Sequence, residues 1–597
     1  ELAPRRIADL RELMRFLRAR ELTSSSMRAV RGPIDTVLDR LDEARRRRPG
    51  ARFAGKWLRA AGQLAMPDAA RLIRLHEAAL FLHAYPHGPN VLRLAEAILA
   101  TFEKRVARLA AAGEDLLEFD EPEVAGVAGT TIGSDFSFDL ARWLARRHPG
   151  RVRLAWGAVE ESAVGDRMRA TWPEFLPLLE EEALADANVP YLAWLRAAAG
   201  ARTDDPDWLF RRYDRLPFPE ADRAERFDSL GLPISWELGA GRASRTKMRL
   251  PGPRPFFHDA PLLARRDVSL DAVFAGPKLE VRRLSGREGE RLCGMLRETT
   301  AARYREFHQF THADPTSVVA TRPGRGVELF LVGVLPERRL PLRAAYGGFM
   351  VKNGVPVGYS EGLAFFERLE LGFNLYYSFR EGESAWLFAR MLQFHRDVLG
   401  VTSFSIDPYQ IGFENREAID SGAFWFYRKL GFRPTDPGVG RLLEREEGRL
   451  AVDPAYRSSP ATLRRLVTHN LLYEVPGTPR GEWDRFHIRH LGLAVNRRMA
   501  RDFGGDARRL RASSERRVGR ALRLDSKRLR PLERRAFGEF ALVLDLVPGF
   551  VRWTRDERAA AVAIVRAKAR GHERRYLRLL RRHARLRNAL VRLGSGR

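Results

Sequence analysis

Apolar side chains recur every three or four positions through much of the first 115 residues. Ile7, Leu10, Leu13, Met14 and Leu17 show the spacing, and so does the stretch from Ala69 to Leu82. That period predicts helices that bury one face. Arg45-Arg46-Arg47-Arg48 before Pro49-Gly50 reads as a loop between them. From about residue 116 the period changes. Short apolar runs, Val124 to Val127 and Val152 to Trp156, alternate with a helical pattern from Phe138 to Arg147, which predicts a mixed α/β region. Residues 202–278 are rich in Pro, Asp and Arg and read as extended connections.

The pattern is clearest from 279 to 435. Leu279 to Leu284 is a predicted strand, a helix follows from Glu288 to Phe307, and Val327 to Leu335 is a strongly apolar strand. Two alternating runs, Ala345 to Lys352 and Val355 to Phe366, flank Asn353-Gly354, a pair suited to the left-handed backbone of a tight hairpin turn. Gly372 to Phe379 is a predicted aromatic strand. A helix over Gly382 to Leu399, a strand over Thr402 to Ile406 and a helix over Glu417 to Leu430 complete the order β-α-β-β-β-β-α-β-α. Past Pro454 the chain reads as helical to its end. No internal repeat occurs. The expected class is therefore α/β (α+β): a mixed sheet with packed helices, flanked by an all-helical N-terminal region and a basic helical C-terminal region. The divisions are drawn at 1–115, 116–278, 279–445 and 446–597.

Length and composition fit this picture. A chain of 597 residues with 45% hydrophobic and 30% charged residues is expected to form several folded domains. A single cysteine, Cys293, excludes a disulfide framework and a thiolate-built zinc site. No apolar run reaches membrane-spanning length, since Phe540 to Val551 is interrupted by Asp545 and Pro548. The start carries no apolar leader, so a reducing, cytoplasmic setting is the expectation. The formal charge of +28 comes from 96 arginines and only 8 lysines, a skew that a GC-rich coding sequence produces without selection for a ligand. Its distribution is more informative. Residues 501–597 hold 28 Lys and Arg against 10 Asp and Glu, a net +18. Arginines at 574, 575, 578, 581, 582 and 585 follow helical spacing, as a face tracking nucleic-acid phosphates or an anionic surface would.

The junction Phe379-Arg380-Glu381-Gly382-Glu383-Ser384-Ala385 is the first chemical candidate. A helix start leaves its leading N–H groups unpaired and can hold a pyrophosphate. Gly382 would admit close approach, Arg380 adds charge, and Ser384 offers a hydroxyl; an ordinary strand-to-helix turn would look the same. Downstream, Asp420, Ala423, Tyr427, Leu430, Gly431 and Phe432 form a short aromatic helix with a glycine cap. At this spacing, and in this order of elements, the chain resembles the GNAT superfamily of N-acyltransferases. That family's pyrophosphate motif begins with Gln or Arg and ends with Gly or Ala, as Arg380 and Ala385 do here. Glu383 stands where the family carries glycine, and Gly382 falls one place early.

The resemblance implies an acyl-coenzyme A co-substrate, most simply acetyl-CoA, an amine-bearing acceptor and no metal. It assigns Tyr427 as proton donor to the departing thiol. Backbone groups at Leu375, Tyr376 and Tyr377 would face the acyl carbonyl or pantetheine arm. Arg380, Gly382, Ser384, Ala385 and Asp420 would form the donor site, with Glu361 or Glu370 taking the proton from the amine. The rival expectation is an inert scaffold of the same shape whose basic C-terminal helices bind nucleic acid or an anionic surface.

Four further patterns need a structural answer. Gly358-Tyr359-Ser360-Glu361-Gly362 matches the serine-hydrolase elbow, but strand is expected on both sides of it. His308 and His312, near Asp314, have metal-ligand spacing. Gly126, Gly129 and Gly133 precede a helix but miss both nucleotide-loop fingerprints. Arg242, Arg245, Lys247 and Arg249 form a basic cluster that reads as a solvated loop.

Overall fold

A computed structural model describes residues 32–47, 50–156, 178, 191–202, 205–239, 241–252 and 254–596. The helix expected over residues 7–17, and Arg48-Pro49 of the basic run, lie outside them. The chain divides into two compact units. One runs up to Arg249 and takes in Arg297–Glu306; the other holds Leu250–Leu296 and Phe307 onward.

The first unit opens with helices Pro33–Arg46, Ala51–Gln63, Ala69–Ala84, Pro89–Ala100 and Phe102–Ala111. Asp68 caps the third by accepting from the Arg71 amide at 2.8 Å, the preferred chemistry for an exposed helix start. Arg71 and Arg74 pair with Asp35 (2.8 Å), Asp39 (2.8 Å) and Asp42 (2.6 Å) of the first helix. Three short strands, β1 (Thr131–Ser134), β2 (Val152–Leu154) and β3 (Ile234–Glu237), form a sheet in the order β1-β3-β2, antiparallel throughout. Phe138, Phe210, Tyr213 and Phe227 pack ring on ring within its core.

Two expectations are corrected in this unit. Val124 to Val127 is turn and loop, because Gly126 takes φ +92° and ends any extended run. Residues 202–278 are not only connections: helices Pro206–Asp214 and Glu220–Asp228 and strand β3 lie within them.

The second unit is built on a nine-stranded sheet. Its strands are β4 (Arg282–Arg283), β5 (Val319–Gly324), β6 (Val327–Gly333), β7 (Ala344–Lys352), β8 (Val355–Phe365), β9 (Arg368–Leu375), β10 (Ser403–Ile406), β11 (Arg433–Pro434) and β12 (Leu471–Glu474). The order is β11-β12-β10-β9-β8-β7-β6-β5-β4, and the β9–β10 pair is parallel. The Asn353-Gly354 hairpin forms as predicted, with φ of +46° and +78° at its two central residues. The strand expected at 279–284 shrinks to two residues, and β5 was not predicted because Pro323 and Gly324 read as breakers. The C-terminal region is helical apart from β12, which inserts between β10 and β11. The sheet therefore draws a strand from beyond residue 445.

One face of the sheet presents Phe330, Val332, Phe349 and Val351 to Leu292, Cys293, Leu296 and Phe310. The other carries the helix Ser384–Leu399, whose Met391 lies on Gly348 and whose His395 lies on Gly362. No helix among the described residues is long and apolar enough to cross a membrane.

Candidate functional site

The parallel pair β9–β10 is short. Register links Arg368, Leu369 and Glu370 to Ser403, Phe404 and Ser405, and there it stops. β9 runs on to Leu375 held only by β8 on its other side, while β10 ends at Ile406 and turns at Asp407 into the helix Pro408–Ile411. The outer edge of β9 from Leu371 to Leu375 therefore has no strand partner among the described residues. An edge in this state offers backbone groups to an extended ligand. The Gln410 carboxamide lies beside the opening, 3.5 Å from where a Cβ on Gly372 would stand.

Beyond Leu375 the predicted strand 372–379 is corrected. Tyr377–Phe379 is a single 3₁₀ turn, and the following helix starts at Ser384, two residues later than expected. Tyr376 is also corrected as a backbone donor, because its amide is bonded to the Val357 carbonyl at 3.0 Å. Arg380 is exposed, packs over the Tyr377 ring at 3.8 Å and pairs with Glu417 at 2.6 Å.

At the helix start, no side chain caps Ser384–Leu399 and no acidic residue lies in its first turn. Its leading amides are thus left to solvent or to an anion. Gly382 and Ser384 flank Glu383, and Ala385 is buried behind them. The Glu383 carboxylate is only 1% exposed. It pairs with Arg325 and with Lys352 (3.6 Å), and it accepts the Leu263 amide at 3.2 Å. Two cations against one carboxylate leave this spot net positive, so Glu383 presents no bare anion to a phosphate. The residues present fit a pyrophosphate held by the leading amides and Arg380.

The helix expected over Glu417 to Leu430 is two pieces, Arg416–Asp420 and Ala423–Arg428, because Gly422 adopts φ +70° between them. Asp420 is exposed and pairs with Arg416 at 3.6 Å. Tyr427, 4% exposed, packs against Phe388 at 5.4 Å, Phe426 at 5.2 Å and Phe432 at 5.8 Å between ring centres. Phe388 in turn meets Phe373 of β9 at 4.9 Å, which ties the tyrosine to the strand that parts. Burial alone pushes its phenol well above the ordinary range, so it holds its proton at any physiological pH.

The two carboxylates proposed as base differ in surroundings. Glu370 is ion-paired to Arg343 at 3.3 Å and Arg368 at 3.7 Å. Glu361 stands between Gly347 of β7 and Gly372 of β9 in the register, and the Phe310 ring occupies the space over Gly347. Burial raises its carboxyl above the usual carboxylate range. Glu361 shares a face with Gly372, while Phe373 and Tyr427 lie on the face of the 384–399 helix, so the two side chains are on opposite faces of the sheet. The folded state holds the Glu361 proton more tightly than the unfolded chain. Its contribution to stability is present below the unfolded pKa and lost as pH rises through the raised folded value. Glu361→Gln is expected to raise the melting temperature at about pH 8 and leave it nearly unchanged near pH 3, where the carboxyl is protonated in both states. Equal shifts at both values would remove the buried charge as the cause.

The other patterns resolve into structure. Ser360 is fully buried in mid-strand against the Gly348 backbone, so no nucleophile elbow exists. His308 bonds the Arg338 carbonyl at 2.8 Å, and Asp314 closes its own turn on Thr316. No group of three metal-ligating side chains converges among the described residues. Gly126 and Gly129 permit close packing: a Cβ on the first would strike the Ala302 carbonyl, and one on the second would lie 3.1 Å from Glu103. The basic cluster is not a solvated loop throughout. Arg245 is 2% exposed and pairs with Glu77 at 2.5 Å, while Thr246 bonds His76 at 2.9 Å.

The arginine row at the C terminus is not one face either. The helices Glu573–Arg582 and Ala584–Gly594 break at His583; Arg581 bonds the Leu399 carbonyl at 2.5 Å and Arg585 pairs with Glu557 at 3.1 Å. Sequence reasoning missed Gln410, Arg325 and Lys352, none of which lies in a recognisable pattern. No protein-family model, no curated protein and no solved structure matches this chain.

Proposed function

We propose that the second unit transfers an acyl group from acyl-coenzyme A to an amine. The observation that carries this reading is the parting of β9 from β10 after three paired residues, directly ahead of an uncapped helix start and beside a buried tyrosine. Bound acyl-CoA would supply an acyl group already activated as a thioester. The chain's own residues would do the rest. The amides of Ser384 to Trp386 and the Arg380 guanidinium hold phosphate, with Arg380 exchanging Glu417 for the ligand. The free edge of β9 from Leu371 to Leu375 lines the acyl carrier. The Glu361 carboxylate accepts the proton of the amine, and its raised pKa makes it a stronger base than a solvated carboxylate. The Tyr427 hydroxyl gives its proton to the departing sulfur, a role that suits a phenol kept neutral by burial.

The rival reading, an inert scaffold with a nucleic-acid-binding tail, has less support, since the basic row is divided between two helices and partly engaged within the chain. Acetyl-CoA in hundredfold excess over its Kd is expected to raise the melting temperature by about 2 °C or more. No shift at millimolar acetyl-CoA, with nucleic acid retained at moderate salt, would reverse the order of the two readings.

A further inference from the structure

The C-terminal helices hold a concavity unrelated to the parted strands. A cleft of about 560 Å³ runs along the helix Arg555–Ala569 beside the end of the helix Ala507–Leu522. Its walls are Leu522, Leu524, Ala559, Val562, Ala563 and Ala567. Four guanidinium groups, Arg523, Arg566, Arg570 and Arg575, line it as well, and no acidic residue does. Arg566 and Arg570 share one carboxylate, Glu533, at 3.9 and 2.7 Å. Arg523 and Arg575 have no carboxylate partner among the described residues, so the cleft keeps a net charge near three positive.

Arg523 carries a second mark. It closes the Ala507–Leu522 helix at φ +54° and ψ +42°, a left-handed position that glycine ordinarily fills. A non-glycine residue there is uncommon and costs backbone energy. An arginine kept at that cost brings its charge to the cleft wall, where a glycine would bring none.

We infer that this cleft binds a phosphate monoester carried on an aliphatic body. Guanidinium groups meet phosphate oxygens in pairs, which accounts for the unpartnered arginines. The apolar walls and a volume far beyond the needs of a lone phosphate account for the body, and the size falls in the range of small-molecule sites.

Decyl phosphate, used below its micelle concentration and titrated calorimetrically into the full chain, is expected to bind saturably at one site. Arg523→Gly combined with Arg575→Ala should weaken it at least tenfold. The glycine suits the left-handed backbone, and both arginines are exposed, so the variant should melt no lower than the parent. Arg508→Ala with Arg509→Ala, which removes the same charge from an exposed stretch elsewhere, should leave the affinity unchanged. Three results would overturn the assignment: no saturable binding at millimolar probe, equal affinity for inorganic phosphate or for uncharged decyl maltoside, or an equal loss in the control variant.

Discussion

Tyr427→Phe is expected to lower turnover with acetyl-CoA and an accepted amine about 100-fold, the typical worth of one positioned proton donor. The stabilisation conferred by acetyl-CoA should persist. The phenol is 4% exposed and surrounded by Phe388, Phe426 and Phe432. Burial is the sole cause of its raised pKa, with no hydrogen bond contributing, so removing the hydroxyl leaves no protein group unpaired. The substitution is therefore close to neutral for folding. A fall in kcat and kcat/KM together, at unchanged melting temperature, is the signature of an interaction made only in the transition state. Unchanged turnover would remove Tyr427 from the chemistry and leave it as a wall of the aromatic cluster.

The second large effect is on stability. Glu383→Ala is expected to cost about 3–5 kcal/mol, because it leaves the fully buried Lys352 ammonium beside Arg325 without the carboxylate that compensates both. Lys352→Met should cost less, because Glu383 keeps its pair with Arg325 and the Leu263 amide. The two changes share one network, so the double variant should lose clearly less than the sum of the single losses, as read by urea denaturation. Additive losses would mean that the ion pair is incidental. The test bears on function as well. If Glu383→Ala folds, its affinity for acetyl-CoA should be no weaker than the parent's, since the carboxylate is turned into the Lys352–Arg325 pair and not toward the helix amides.

Much of the second unit was legible because its signals are local. Asn353-Gly354 needs two left-handed residues, and the sequence places there the pair that tolerates them. The β8 and β9 strands and the helix Ser384–Leu399 followed from alternation and periodicity. Where local signals conflict, the prediction slipped. Pro323 and Gly324 hid β5, and the aromatic run after Leu375 read as strand although Tyr376 and Tyr377 leave the sheet. The break at Gly422 was masked by the helical spacing that runs on into the aromatic residues Phe424 to Tyr427.

The candidate site was half legible. Arg380 could be named from its place before a predicted helix; Tyr427, Glu361 and Glu370 were named only through the resemblance to the GNAT superfamily. Their environments could not be read from the chain. Glu383 reads as an unfavourable anion on the chain and proves to be a neutralised structural group, because Arg325 and the Leu263 amide reach it from 58 and 120 residues away. The same distance hid Arg245, whose partner Glu77 lies 168 residues earlier.

The pattern of apolar and polar positions by itself determined where most of the helices and longer strands of the second unit run and where the main hairpin turns. Tertiary structure decided that β9 and β10 separate, that β12 enters the sheet between β10 and β11, and which charges face one another in the interior. Periodicity records how a segment presents its own faces to water; it carries nothing about which distant face will meet it, and buried charge takes its meaning only from that meeting.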